Sequence, residues 1–176
     1  MTEQIERATA ADERGAAFDG LVAAELDGAY RLAGVILGDR WQAEDATHDA
    51  VVQAWLRFGS LREQDRFGAW FGRILVNICR DRLREKARRP ISVRAVADTP
   101  TDDRTTAVDD RLLLDDAFAA LSPDHRVALA LRYYADLPVE AIAELVGVPA
   151  GTVKSRIHVA VERMRDALGA DEGGSR

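Results

Sequence analysis

The side chains best suited to chemistry in this sequence are arginines at helical spacing. Arg73, Asn77, Arg80, Arg84 and Arg88 recur every three or four positions within RFGAWFGRILVNICRDRLREKARR, residues 66–89. At about 100° per residue they share an arc of roughly 80°, beside a stripe of Phe67, Trp70, Phe71, Ile74, Leu75 and Ile78. A guanidinium is a planar fork that matches phosphate oxygens and keeps its charge at any ordinary pH. Asn77 adds a paired donor and acceptor that can read a base edge. A helix anchored by an aromatic keel and flanked in this way can follow a phosphate backbone. The same pattern also suits a solvated basic face, and this helix alone does not choose between the two.

Catalytic chemistry finds little support. There is no nucleophile–base pair, carboxylate dyad or glycine-rich phosphate loop. His48, His125 and His158 share no ligand spacing with each other or with Cys79. No metal, cofactor or enzymatic activity is expected. The single cysteine forbids an internal disulfide and suits a reducing cytoplasm. At the edge of the apolar stripe, Cys79 reads as a small buried hydrophobe rather than a redox sensor. No apolar run approaches a membrane span, and MTEQIERATAADER lacks the basic-then-apolar pattern of a signal peptide. A cytoplasmic protein without membrane insertion is expected.

The net charge of −6 argues against nucleic-acid binding, but its distribution argues for it. Residues 1–50 carry 4 basic and 11 acidic groups, whereas residues 51–90 carry 10 basic and 4 acidic. Residues 91–124 return to 3 against 8, and the remainder is neutral. Attraction to a polyanion depends on the local face more than on the total.

The elements that must position this face are helical. Phe18, Val22, Leu26, Ala29, Ala33 and Ile36 recur at helical spacing, and Gly38 stands where that helix stops, with Gly38-Asp39 as the turn. A second helix is expected from about Ala43 to Phe58, with Val51, Ala54, Trp55 and Phe58 inward and with Glu44 and Asp45 in its first turn. Residues 59–65 read as a loop, with Asp65 as N-cap of the basic helix. Three such helices can close a small bundle.

Pro90 ends that unit. Residues 90–107 lack periodicity and carry several acids, which reads as a linker. Beyond it, Leu112, Leu113, Phe118 and Leu121 fit a short helix. Ser122-Pro123-Asp124 is a start signal, with serine as N-cap, and the helix it opens should turn Val127, Ala130, Leu131 and Tyr134 inward. Pro138 opens VEAIAELV, which Gly147 stops, and a longer basic helix follows after Gly151. Short helix, glycine turn and basic helix form the helix-turn-helix pattern. In the last helix Val153, Ile157, Ala160 and Met164 face inward. Thr152, Lys154, Ser155, Arg156, Val159 and Arg163 are left outward or flanking, as short polar and cationic side chains near a major groove should be. The expected fold is therefore all-α: two small helical domains, 14–89 and 108–169, joined by an acidic, flexible linker at 90–107. The second domain is a four-helix unit with a helix-turn-helix.

Four stretches make the chain resemble the bacterial extracytoplasmic-function sigma factors, dissociable promoter-recognition subunits of RNA polymerase. AEDATHDAVVQAW (43–55) is similar to the family's polymerase-binding segment. FGAWFGRILVNICRDRLR (67–84) is similar to its -10 helix, with Trp70, Arg73, Ile74, Asn77 and Asp81 keeping the motif intact. LSPDHRVALALRYYADLPVEAIAELVGVP (121–149) and GTVKSRIH (151–158) resemble its -35 reader. The match runs through nearly the whole chain in the family's order. His48 and Asp49 replace a common Gln-Glu pair, valines stand at 159 and 161 where arginines are frequent, and Trp41 is not a residue the pattern calls for.

The resemblance implies that Glu44, Asp45, Asp49 and Gln53 dock on the clamp helices of the largest subunit of core polymerase. Arg66, Arg73, Asn77, Arg80, Arg84 and Arg88 would engage the -10 element and its melted non-template strand, with Asn77 and residues 59–66 holding an everted base. Arg132, Thr152, Lys154, Ser155, Arg156 and Arg163 would contact the -35 duplex. An anti-sigma factor would hold the protein inactive, and the linker would run toward the RNA exit path. The competing reading is a freestanding helix-turn-helix regulator that uses residues 1–90 as a sensor or dimer module. A small ligand-binding helical enzyme would need a pocket of convergent polar groups.

Overall fold

The computed structural model describes residues 2–88 and 106–172, with side-chain environments over 12–88 and 112–169. No strand occurs among the described residues. Their helices are α1 (Thr2–Leu37), α2 (Arg40–Arg57), α3 (Phe67–Arg88), α4 (Thr106–Ala120), α5 (Pro123–Leu129), α6 (Val139–Val146) and α7 (Ala150–Glu172). The chain divides into two compact units, Met1–Ile78 and Cys79–Arg176, so the division falls inside α3. Nearly all of the expected linker, 90–107, lies outside the described residues.

In the first unit α1 and α2 form a helical hairpin across Gly38-Asp39. Gly38 adopts φ +67°, where glycine carries no Cβ penalty, and donates its N–H to Gly34 O at 2.8 Å. Asp39 is more than a turn residue. Its carboxylate accepts the Gln42 N–H at 2.9 Å, and the Gln42 side-chain amide donates back at 3.3 Å. This cap, in which Asp39 accepts twice from Gln42, starts α2 at Arg40 rather than at Ala43. Glu44 and Asp45 consequently sit in the second turn, and the first turn holds no acid. Ala43, Ala46, Ala50 and Ala54 make the buried face of α2 small, while buried Thr47 satisfies its hydroxyl on Ala43 O at 2.8 Å.

The rest of this core is aromatic. Phe18 meets Trp55, Phe58 and Phe67 edge-on at 5.1, 5.1 and 5.9 Å, and Phe67 stacks on Phe71 at 5.6 Å. Arg14 lies over Trp55 at 5.5 Å and over Phe58 at 5.8 Å. Trp55 is nevertheless 43 % exposed, not inward as the spacing suggested, because the alanine seam takes the position facing α1. The segment before α3 is two short 3₁₀ turns, Phe58–Ser60 and Gln64–Arg66. Asp65 lies inside the second turn and so does not occupy the N-cap position of α3. Gly68 permits α3 to begin close to α1, since a Cβ there would lie 2.6 Å from Glu25 Oε1.

In the second unit α7 packs on α4, α5 and α6. Its core includes Leu83, Ala117, Leu121, Val127, Leu131, Ile142, Val146, Val153 and Ala160. Pro123 occupies the first turn of α5, and Ser122 O accepts the Arg126 N–H at 2.9 Å, but the Ser122 hydroxyl makes no cap bond. After Leu129 the helix widens into a π turn over Ala130–Tyr134. The extra residue in that turn rotates Tyr134 out to 48 % exposure, against the inward expectation, while Ala130 and Leu131 stay buried. Leu112, Leu113 and Leu114 of α4 are also exposed. Gly147, at φ +71°, closes α6 with its N–H on Ala143 O at 2.9 Å, and the Val148 N–H reaches the same carbonyl at 3.1 Å. Buried Arg126 donates to Ala119 O and lies over Phe118 at 5.7 Å. Burial pushes its pKa down from the ordinary value.

Two stability consequences follow from these local structures. Asp39→Ala should cost about 1 kcal/mol in urea denaturation while Asp39→Asn costs much less, because only the first removes the cap acceptor. The second concerns His125, whose buried Nδ1 has no hydrogen-bond partner among the described residues. Burial, then Arg163 and Arg156, lower its pKa, and Asp124 opposes them. The unfolded chain therefore takes up this proton first, so folding loses stability as pH falls below about 6.5. His125→Gln should flatten the fall in melting temperature from about pH 7.5 to about pH 5.5, and an unaltered slope would refute the assignment.

Candidate nucleic-acid and polymerase interfaces

Helix α3 turns its apolar residues inward. Phe67, Phe71, Ile74, Leu75, Val76, Cys79 and Leu83 are all buried, whereas Trp70 is half-buried. Burial pushes the Cys79 thiol up to about 12, outweighing the opposing charge of Arg82, so it stays protonated at neutral pH. With the keel fixed, the flank is set. Arg73 and Arg88 are exposed, and Asn77, Arg80 and Arg84 are half-buried along the same side. The row from Arg73 to Arg88 spans about 22 Å of helix. It crosses the division between the units, with Arg73 and Asn77 before it and Arg80, Arg84 and Arg88 after it. Arg66 stands apart in the preceding 3₁₀ turn, where its Nε pairs with Glu63 at 2.9 Å on an exposed surface.

On α2, Glu44, Asp45 and Asp49 are exposed and Gln53 is half-buried. The acids do not stand alone. Trp41, Val52, Trp55 and Leu56 are exposed on the same helix, Trp41 and Leu56 by 76 % and 74 %. At about 100° per residue Trp41, Asp45, His48, Val52 and Leu56 share an arc of roughly 80°. The outer face is thus mixed, acidic and apolar, which fits a docking surface better than a purely solvated one. Sequence reasoning missed its apolar part. The signal was present, because buried Ala50, Ala54 and Phe58 require Val52 and Leu56 to point away.

In the second unit Thr152, Lys154, Ser155 and Arg163 of α7 are exposed, near or beyond the helix start, while buried Val153 and Ala160 fix the rotation of the helix. Arg156 is half-buried, and its Nη2 donates to Asp124 Oδ2 at 3.1 Å. The same carboxylate accepts from Arg84 Nη2 at 3.1 and 3.2 Å. Arg132 lies within the π turn. It pairs with Asp136 at 3.3 Å, reaches Leu137 O at 3.4 Å and lies over exposed Tyr133 at 5.9 Å. Asp136 holds φ +49°, a backbone state that aspartate tolerates better than most residues. The structure therefore gathers Arg84 and Arg156, which the sequence assigned to separate DNA elements, onto one aspartate. Sequence reasoning assigned Asp124 only a helix-starting role. No group of three metal-ligating side chains occurs among the described residues, and none of their helices is long and apolar enough to cross a membrane.

Comparison with known proteins agrees with this layout. Residues 21–89 match the family model for sigma-70 region 2, and residues 111–164 match the model for sigma-70 region 4. The ECF RNA polymerase sigma factor SigL of Mycobacterium tuberculosis is 34 % identical over 144 residues, covering 79 % of this chain and 81 % of the relative. SigW of Bacillus subtilis, another ECF RNA polymerase sigma factor, is 31 % identical over 166 residues, covering 86 % and 89 %. Among solved structures, the sigma factor RpoE in complex with the anti-sigma factor NepR from Bartonella quintana aligns with a TM-score of 0.67 at 25 % identity, covering 88 % of this chain and 98 % of that one. CnrH in complex with the cytosolic domain of CnrY shares the fold with a TM-score of 0.60 at 24 % identity, covering 97 % and 99 %. Matched in both of its halves and by relatives along most of its length, the chain belongs to the ECF family of RNA polymerase sigma factors.

Proposed function

We propose that the chain directs core RNA polymerase to -35 and -10 promoter elements and favours opening of the duplex, acting in the cytoplasm without catalysing any bond chemistry. The observation that carries this reading is the α3 row: four arginines and Asn77 on one flank of a helix whose other side is buried. Such a flank gains binding energy from a strand it can follow. A base turned into it, beside residues 59–66, returns part of the cost of unstacking.

In this reading residues 14–89 form the -10 and polymerase-binding domain, 90–107 the linker and 108–169 the -35 domain. Glu44, Asp45, Asp49 and Gln53 meet the clamp helices of the largest polymerase subunit. The exposed Val52 and Leu56 support that role by adding apolar area to the acidic contact. Arg66, Arg73, Asn77, Arg80, Arg84 and Arg88 take the melted non-template strand. Thr152, Lys154 and Ser155 meet base edges or adjacent phosphates on the -35 duplex, and Arg132, Arg156 and Arg163 meet phosphates. An anti-sigma factor covers these surfaces when the protein is inactive. The complex of RpoE with the anti-sigma factor NepR supports this last element.

The test is transcription from mapped start sites with purified core enzyme, followed by a comparison of Asn77→Ala with the native chain. The variant should lower promoter opening, read by permanganate reactivity of unpaired thymines, about tenfold. Closed-complex affinity should change less than about twofold, because a paired base is not available for capture. Equal loss in both steps, or in neither, would contradict the base-capture role. Promoter binding by the chain alone as tight as that of the assembled polymerase would favour a freestanding regulator instead.

A further inference from the structure

We propose that Arg84 and Arg156 form a phosphate cradle which Asp124 closes from within, and that the chain must release Asp124 before it can engage a promoter. This rests on the DNA roles given to the two arginines above. All three residues lie in the second unit. Both guanidiniums donate Nη2 to the same oxygen, Asp124 Oδ2, at 3.2 and 3.1 Å, and Arg84 also donates to Oδ1 at 3.1 Å. The two donor nitrogens are therefore no more than about 6 Å apart. Two permanent cations held that close need an anion between them. A phosphodiester presents two charged oxygens to such a pair just as a carboxylate does. Asp81 stands farther from Arg84, at 3.9 Å.

The surroundings fit an anion site. His125, next in sequence, faces Arg156 and Arg163 from α5 with a buried Nδ1 that has no partner among the described residues. The closing contact is also one that can be displaced. Its side chains are 41 %, 27 % and 22 % exposed for Arg84, Asp124 and Arg156, and ion pairs open to water to that extent are weak.

Geometry makes the release obligatory. The -10 and -35 elements are named for positions about 25 base pairs apart, or about 85 Å at 3.4 Å per step. Arginines that share one carboxylate oxygen cannot also sit on both elements. The closed triad is thus a state in which at least one promoter contact is withheld, by a carboxylate that occupies the place of a phosphate.

Asp124 also lies in the first turn of α5, where an acid suits the helix dipole, so the discriminating variant is Asp124→Asn, which keeps the shape and a polar side chain there while removing the charge. With the full-length chain and a labelled random-sequence duplex at low salt, D124N should bind about tenfold tighter than the native protein. Its affinity should also fall more steeply with salt, by close to two added phosphate contacts. Both gains should vanish when Arg84→Gln and Arg156→Gln are combined with it. Binding within about twofold of native, or a gain that survives loss of both arginines, overturns the proposal. A separate arm examines the underlying roles: if R84Q and R156Q leave promoter binding by the assembled polymerase unaltered, the assignment of these arginines to DNA fails, and the proposal with it. A second measurement retains native Asp124. Spin labels at Lys86→Cys and His158→Cys, both exposed and clear of buried Cys79, should lie close together in the free chain and separate by tens of ångströms in the promoter complex. An unchanged separation overturns the proposal.

Discussion

Burial of one side of α3 is the constraint on which the rest of the molecule depends. Phe67 and Phe71 are essentially inaccessible, and Phe67 is held edge-on by Phe18 and Phe58. A helix so anchored cannot rotate without exposing several aromatic and aliphatic side chains, each contributing about 2 kcal/mol or more of burial. Packing therefore sets the rotation of the helix, and with it the side on which Arg73, Asn77, Arg80, Arg84 and Arg88 emerge. Hydrophobic packing, which is non-directional, acquires direction here because the helical period couples the two faces.

The same coupling operates on the other candidate surfaces. On α2 the alanine seam against α1 fixes the rotation, so acids and exposed apolar residues emerge together on the outer side. On α7 fully buried Val153 and Ala160 fix it, so Thr152, Lys154 and Ser155 emerge near the helix start. In each case small or well-packed residues decide the geometry and polar residues use it. The charge map is uneven in the same way: acids emerge on α2 and bases on α3, and the net charge of −6 averages them away.

Much of this was legible in the sequence, because the deciding signals are local. The glycines at 38 and 147 and the proline at 123 each report on neighbours within a turn, and the structure places them as read. Of the α3 stripe, Phe67, Phe71, Ile74 and Leu75 are buried, whereas Trp70 and Ile78 are half-buried and Val76 and Leu83 extend the buried side. The misreadings have physical causes of the same scale. Asp39 reads as part of a turn, although Gln42, three residues on, donates twice to its carboxylate, and this moves the start of α2. An α-helical period turns Tyr134 inward, and the π turn breaks that period. The helical spacing turns Trp55 inward, whereas the close approach of α1 and α2 favours alanine. What no local pattern could reveal is the meeting of Arg84, Asp124 and Arg156. Positions 40 and 32 residues apart are brought together only by tertiary folding, and a sequence reading assigns each side chain to the partner its own helix suggests.

The central claim is that the α3 flank prefers a separated strand to a paired one, and only when the chain is mounted on polymerase. The most direct measurement compares binding to a fully paired promoter and to the same promoter with mismatches across the -10 element, with and without core enzyme. The account predicts weak binding to both by the chain alone, and with core enzyme a preference for the mismatched template of about tenfold or more. Nanomolar binding of the isolated chain to the paired promoter, indifferent to core enzyme and to the mismatches, would contradict it.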